Sequence, residues 1–242
     1  MREWLSRTEL CLGPEGLKKL QSANVLVVGL GGVGAYAAEM ICRAGVGKMT
    51  IVDGDTIHVS NRNRQLPALT STEGMLKAEV MGRRLTDINP DLDLTVIREY
   101  IKDERMVEIL GQQFDYVVDA IDTLAPKVFL IFHSMTKHYP IVSSMGAGGK
   151  LDPTRIIISD ISATTDCTLA RILRKRLHRL GIRDGFKAVY SPEVVKKTMV
   201  RAVEGEQNKA SVVGTVSYMP AAFGIACASV VIRDLIDKQQ DI

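Results

Sequence analysis

Cysteine is scarce in this chain and poorly placed for a metal. Cys11, Cys42, Cys167 and Cys227 lie far apart, and none belongs to a C-x-x-C pair. A structural zinc built on paired thiols is therefore not expected. Their spacing, with no export signal, points to reduced thiols in a cytoplasm. No run of eighteen apolar residues occurs, so no membrane span is expected. The opening "MREWLSRTELCLG" lacks the apolar stretch of a secretory signal. Internal repeats and low-complexity segments are missing as well. Charge is nearly balanced, 31 Lys and Arg against 28 Asp and Glu, and a net +3 does not by itself call for nucleic acid. What remains is 242 residues, 46% hydrophobic and 24% charged. That is enough for one α/β domain with a proper core and too little for two comfortable ones.

The apolar pattern supplies the elements. "NVLVVG" (24–29) reads as a buried parallel strand running into glycines. Ala and Met at helical spacing predict a helix over 33–44, and "KMTIVD" (48–53) is a second strand. Together they make a βαβ unit with a right-handed crossover. "TSTEGMLKAEVMGRRLTDINP" predicts a helix capped at 70–72, with Glu73 in its first turn and Pro90 beyond its end. Further strands are expected at 93–99, 115–120 and 140–146, with helices near 103–111 and 124–138. This alternation predicts an α/β, doubly wound, Rossmann-like sheet, mainly parallel, with helices on both faces.

The second half breaks the rhythm. A strand at 155–161 leads to a basic helix, "TLARILRKRLHRLGI", with Leu169, Ile172, Leu173, Leu177 and Leu180 as its apolar face. "KAVYSPE" is another short strand. "SYMPAAFGIACASVVIRDLI" closes the pattern as a core or subunit-interface helix. We read residues 1–242 as one domain. Its nucleotide-binding half is 1–150, and its substrate-binding and dimerisation half is 151–242.

Gly29-Leu30-Gly31-Gly32-Val33-Gly34 lies directly between a strand and a helix. Glycines there permit a tight turn and close approach to phosphate at the helix N-terminus. Asp53 ends the second strand, where an acid binds a ribose hydroxyl. NAD and ATP fit these residues equally well. Arg64 and Lys77 separate them. A dinucleotide's diphosphate is largely neutralised by the helix, whereas an α-phosphate under attack needs fixed cations. A guanidinium fork and an ammonium both suit that task. Asp122, in "DAIDT" after the fourth strand, is a candidate Mg2+ ligand, because Mg2+ takes one or two carboxylates plus phosphate oxygens. Arg62 reads more simply as a solvated loop residue. His58, His133 and His138 are scattered and receive no role.

Gly-x-Gly-Gly-x-Gly, Asp53-x-Asp55, Asn61-x-x-Arg64-Gln65, Lys77, "INP" at 88–90 and Asp122 together resemble the ubiquitin-activating, E1-like superfamily over roughly residues 4–150. That superfamily includes the sulfur-carrier adenylyltransferases. The resemblance implies an ATP and Mg2+ site made by the glycine turn with Asp53, Asp55, Asn61, Arg64, Gln65, Lys77 and Asp122. It also implies a homodimer, with Arg7 as the arginine that reaches the partner subunit's phosphates.

Carrier-activating members usually carry two C-x-x-C pairs and a catalytic cysteine in the crossover loop. Here the pairs are missing. Cys167, at a predicted helix start, is the nearest candidate thiol, although a small buried residue is its plainer role. "AIDTLAPK", "GAGGKLDPTRI", the basic helix and "VYSPE" instead resemble the tRNA threonylcarbamoyladenosine dehydratase branch, nearly end to end. That branch implies adenylation of a threonylcarbamoyl carboxylate on adenosine 37 of tRNA, then closure of a ring within the same group. A cysteine desulfurase or sulfur-acceptor system is a candidate partner, and a monovalent cation in the "GAGG" loop a candidate cofactor.

Residues 171–201 contain ten Lys or Arg against two acids, Asp184 and Glu193. An excess of eight in a chain of net +3 concentrates the positive charge here, as a phosphate backbone requires. Arg171, Arg174, Lys175 and Arg179 are the candidate tRNA contacts. Two readings compete with a tRNA dehydratase. A carrier-protein adenylyltransferase is disfavoured by the missing cysteine pairs, and a nicotinamide oxidoreductase by Arg64, Lys77 and Asp122.

Overall fold

Val25, Leu26, Val27 and Val28 are all buried, because β1 (Asn24–Val28) has a helical layer on each face. Its alternation divides them. Val25 and Val27 enter one core, and Leu26 and Val28 the other. The computed structural model describes residues 3–101, 103–202 and 211–237. Parallel to β1 lie β2 (Lys48–Val52), β3 (Asp93–Ile97), β4 (Tyr116–Asp119) and β5 (Ile141–Ser144). β6 (Ile157–Asp160) runs antiparallel to β7 (Lys187–Tyr190), which itself lies parallel to β5. The sheet order is β3-β2-β1-β4-β5-β7-β6, the doubly wound arrangement expected from the sequence.

α1 (Ser6–Ser22), α2 (Gly34–Arg43), α3 (Lys77–Ile88) and α7 (Tyr218–Asp237) contribute to the first core. α4 (Asp103–Ile109), α5 (Leu124–Thr136) and α6 (Thr168–His178) contribute to the second. α7 is long and apolar enough by length and composition to cross a membrane. In this fold its Met219, Phe223, Cys227, Val230 and Val231 are buried, and it packs chiefly on α2. Core packing accounts for the buried half of its apolar stretch, while Ile225 is exposed.

Several boundaries differ from expectation. The helix expected from residue 70 starts at Lys77, because Thr70–Thr72 is an isolated 3-10 turn and Gly74 follows at φ 80°. The parallel strands β1 to β5 end one or two residues early, where the chain turns into loops at the sheet's carboxyl edge. α1 carries no clean apolar period, and it bends at Gly13-Pro14, where Gly13 has φ 73°. The short hairpin β8 (Val200–Ala202) with β9 (Ser211–Val213) was not anticipated. On α6, Ala170, Leu173 and Leu177 form the buried face, while Ile172, and Leu180 beyond the helix end, are exposed.

Candidate nucleotide site at the sheet switch point

β1 and β4 are neighbours, but the helices that follow them, α2 and α5, cover opposite faces. The crevice at their carboxyl ends is where ligands bind in this fold. The glycine turn lines it, and its four glycines have different reasons. Gly29 has φ 90°, and a Cβ there would stand 2.8 Å from the Ala120 carbonyl oxygen. A Cβ on Gly34 would meet the Gly29 oxygen at 1.7 Å, and one on Gly32 would meet Pro220 at 2.8 Å. Gly31 would meet only Gln65, at 3.8 Å. The fold demands three of the glycines and leaves the space above Gly31 open. Beside it, the buried Gln65 Oε1 has no protein partner. Val33, the N-cap of α2, supplies no side-chain cap, so first-turn N–H groups remain for an anion. An open cradle and a bare helix terminus fit a nucleotide phosphate, and the unsatisfied amide oxygen fits a donor on the same nucleotide, such as a ribose hydroxyl.

Asp53 braces the turn from below. Its Oδ2 accepts from the Leu30 N–H at 2.6 Å, and its Oδ1 from the Asp55 N–H at 2.7 Å. Burial pushes its pKa up, against the opposing pull of Lys77 and those two N–H groups. Asn61 is buried and tied to its own turn, its Oδ1 accepting from the His58 N–H at 3.1 Å. Arg64 donates through Nη1 to the Ser60 carbonyl at 2.8 Å and to Asn63 Oδ1 at 2.9 Å. Burial lowers its pKa, partly offset by the charge of Asp122. Arg62 is exposed and bonded to Thr70, as a loop residue would be.

Lys77 is buried in the first turn of α3 and forms an ion pair with Asp55 at 2.6 Å. Asp55 also accepts from the Tyr100 hydroxyl, which pushes the Tyr100 pKa up to about 12. Sequence reasoning missed Tyr100, which lies 45 residues from Asp55 in a loop without a motif. It also missed Asp119 and Lys127, which are fully buried and paired at 2.8 Å beneath Asp122. The eight-residue spacing in "DAIDTLAPK", from a strand end into a helix, was the available signal.

Asp122 itself is exposed just past β4. Among the described residues no group of three or more His, Cys, Asp or Glu side chains could hold a metal unaided. One carboxylate beside a phosphate cradle fits Mg2+ bound jointly by protein and triphosphate.

Other candidates lie outside this cluster. Arg7 is exposed in the first turn of α1. Arg171, Lys175 and Arg179 are exposed on or just beyond α6. Arg174 is turned back instead, donating to the Thr164 carbonyl at 2.7 Å and to the Thr164 hydroxyl. Cys167 is buried at the N-cap of α6. In the "GAGG" loop, Cβ atoms on Gly148 and Gly149 would stand 3.0 and 2.5 Å from Val213 and Val195, so close packing accounts for both. The buried Lys150 ammonium beside it donates to the carbonyls of Ser191 and Glu193.

Fold and glycine turn define a doubly wound nucleotide-binding protein. The ThiF family model matches residues 5–241, and the chain belongs to the ThiF family. It is 35% identical over 243 residues to the tRNA threonylcarbamoyladenosine dehydratase of Bacillus subtilis (strain 168), covering 98% of this chain and 96% of that one. It is 33% identical over 254 residues to the protein of that name from Escherichia coli (strain K12), covering 98% and 95%. A crystal structure of the E. coli tRNA N6-threonylcarbamoyladenosine dehydratase in complex with ATP matches with a TM-score of 0.90 at 32% identity, covering 98% of this chain and 95% of that one. Likeness to the E. coli sulfur carrier protein ThiS adenylyltransferase, 33% identical, spans only 57% of this chain. The expected fold class and family resemblance are both borne out.

Proposed function

We propose that this protein is an ATP-dependent tRNA threonylcarbamoyladenosine dehydratase acting at adenosine 37. The observation that carries the reading is the near-complete match, in length and fold, to a dehydratase solved with ATP. Likeness to the carrier activator covers little more than half of the chain.

The chemistry needs two steps. The threonyl carboxylate attacks the α-phosphorus of ATP, and pyrophosphate leaves. A nucleophile within the same threonylcarbamoyl group then attacks the activated carbonyl carbon, and AMP carries away the carboxylate oxygen. Net, the elements of one water leave the modified base as ATP becomes AMP and pyrophosphate. Ring closure is intramolecular, with a high effective molarity, so no protein nucleophile is required.

In this reading Asp53 holds the ribose, and the N–H groups above Gly31 receive phosphate. Arg64 and Lys77 balance the charge that develops on the α-phosphoryl oxygens. Asp122 holds Mg2+, which supplies further neutralisation of the triphosphate when bound. Arg171, Lys175 and Arg179 hold the tRNA backbone, and the enzyme acts in the cytoplasm in this reading. The working unit is a homodimer, with Arg7 serving the partner's site. Support comes from the exposed Trp4 and Leu10, which flank Arg7 at the start of the chain.

ATP–pyrophosphate exchange tests the reading. Exchange dependent on tRNA bearing threonylcarbamoyladenosine is expected. Exchange dependent on a carrier protein with a C-terminal Gly-Gly tail would replace the reading with an adenylyltransferase.

A further inference from the structure

Asp119 and Lys127 place two opposite charges where the chain gives them no exposure at all. Withdrawing such ions from water costs several kcal/mol each, and an apolar pair of similar volume is often as stable. Stability alone is a poor reason for the pair, so the partners of its polar atoms matter. Asp119 Oδ1 accepts from the Ile121 N–H at 3.1 Å. Lys127 Nζ donates to the Ile121 carbonyl at 3.0 Å. The same ammonium stands 2.8 Å from Asp119 Oδ2, which also accepts from the Ser143 hydroxyl at 2.6 Å. The pair therefore grips Ile121 at both backbone groups. One residue earlier, the Ala120 N–H donates to the Val28 carbonyl at 2.9 Å, and the Ala120 carbonyl lies against Gly29. The Ile121 carbonyl belongs to the peptide that leads into Asp122. That unit is planar, so fixing its oxygen fixes the start of Asp122.

We propose that Asp119 and Lys127 are positioning residues that set the backbone of Asp122, and with it the carboxylate that takes Mg2+ beside Arg64. The inference rests on the ATP and Mg2+ reading of Asp122. Loops at the carboxyl edge are bordered by solvent and have few contacts of their own to hold them. A buried ion pair with two bonds to one residue's backbone supplies rigidity that an apolar pair could not, since apolar side chains have no donor for a carbonyl. Partners that orient a metal ligand without touching the metal typically change metal affinity 10–100-fold when removed.

The experiment measures ATP affinity of the full chain by calorimetry at a series of Mg2+ concentrations. The variants are Asp119→Asn/Lys127→Met, Ser143→Ala and Asp122→Asn. The double variant removes both charges together, so neither is left buried alone. We expect it to bind ATP without Mg2+ as the unaltered protein does, and to need about tenfold or more Mg2+ for half of the metal-dependent gain. Asp122→Asn should abolish that gain. A double variant with lowered Tm but an unaltered Mg2+ requirement, alongside a shifted Asp122→Asn, would overturn the proposal and leave the pair a fold element. If Asp122→Asn leaves the Mg2+ requirement unchanged, the metal reading of Asp122 falls and the proposal falls with it. If the double variant does not fold, Ser143→Ala decides, since it loosens Asp119 while leaving both charges paired. A shift in the same direction supports positioning, and an unchanged Mg2+ requirement overturns it.

Discussion

Lys77 and Asp55 are paired at 2.6 Å, with the ammonium buried and the carboxylate half open to solvent. A cation in the first turn of a helix opposes the macrodipole. Burial adds to that cost. Within the protein that charge pairs with Asp55 and offsets the burial of Asp53, and a phosphate ligand would use the same charge. Lys77→Met keeps the volume and removes the charge. Tm should fall somewhat, because the buried Asp53 loses a stabilising charge, while pyrophosphate exchange falls about 10²-fold, as for other lost transition-state contacts. Exchange near the level of the unaltered protein would remove Lys77 from the mechanism. Asp55 retains Tyr100 as a partner in that variant, so lost activity would not simply report a stranded carboxylate.

The glycine turn offers a sharper contrast. Gly31→Ala meets no protein atom closer than 3.8 Å, whereas Gly34→Ala drives a methyl carbon to 1.7 Å from the Gly29 oxygen. Gly31→Ala should unfold at an unchanged temperature and lose ATP affinity. Gly34→Ala should yield little folded protein. Calorimetric ATP titration and thermal melts of both variants check this. If Gly31→Ala binds ATP normally, the cradle is not used.

The strands and the glycine turn were legible in the sequence because their signals are local. Four apolar residues followed by glycines cannot easily be anything but a buried strand running into a turn. Arg64, Lys77 and Asp122 could also be named as candidates, since motif order ties them to that turn. Tyr100 and the Asp119–Lys127 pair were not. Each acts through a fold contact, Tyr100 on Asp55 across 45 residues and Lys127 on the Ile121 carbonyl. Counting charges on α6 likewise could not show that Arg174 bends back to Thr164. A tally of arginines records charge and says nothing of direction.

Glu39 gives a prediction in pH. It is buried on α2 and accepts from Arg84 Nε at 2.5 Å and from Arg43 Nε at 2.8 Å. The Arg84 bond joins the helix that follows the glycine turn to the helix that begins with Lys77, while the Arg43 bond lies within the first of them. Burial pushes the Glu39 pKa up, but the two arginines together outweigh it, and the net shift is downward from 4.5. A lowered folded-state pKa contributes stability that is present above the ordinary value and lost as pH falls through the folded value. Glu39→Gln should therefore cost about 1–3 kcal/mol at pH 7. That difference should shrink as pH falls below 4.5. Urea unfolding at pH 7 and in the acid range measures it. A difference independent of pH would show that the charge of Glu39 contributes nothing.

Cys167 is buried in the second core, beside Ala170 and Leu173. It is placed to pack. Cys167→Ser should keep most of the dehydratase turnover, with a modest loss of Tm from the buried hydroxyl. Loss of turnover with ATP binding intact would favour a thioester route and the carrier-activating chemistry.

The basic helix carries the last prediction. Arg171, Lys175 and Arg179 are exposed, with no ion pair among the described residues, while Arg174 is bonded to Thr164. Lys187 is likewise engaged, paired with Asp234. Cations near the end of α6 also complement its dipole, so a solvated face could explain them without RNA. Salt dependence separates the two explanations. Neutralising Arg171, Lys175 and Arg179 together should weaken tRNA binding and flatten log K against log salt by roughly 0.7–0.9 per contact removed. ATP affinity should stay unchanged, because α6 contributes no residue to the nucleotide cluster. Arg174→Ala should behave differently, lowering Tm and leaving the salt slope as it was. If the triple variant keeps both affinity and slope, α6 is a solvated face, and tRNA must be held by another surface of the protein.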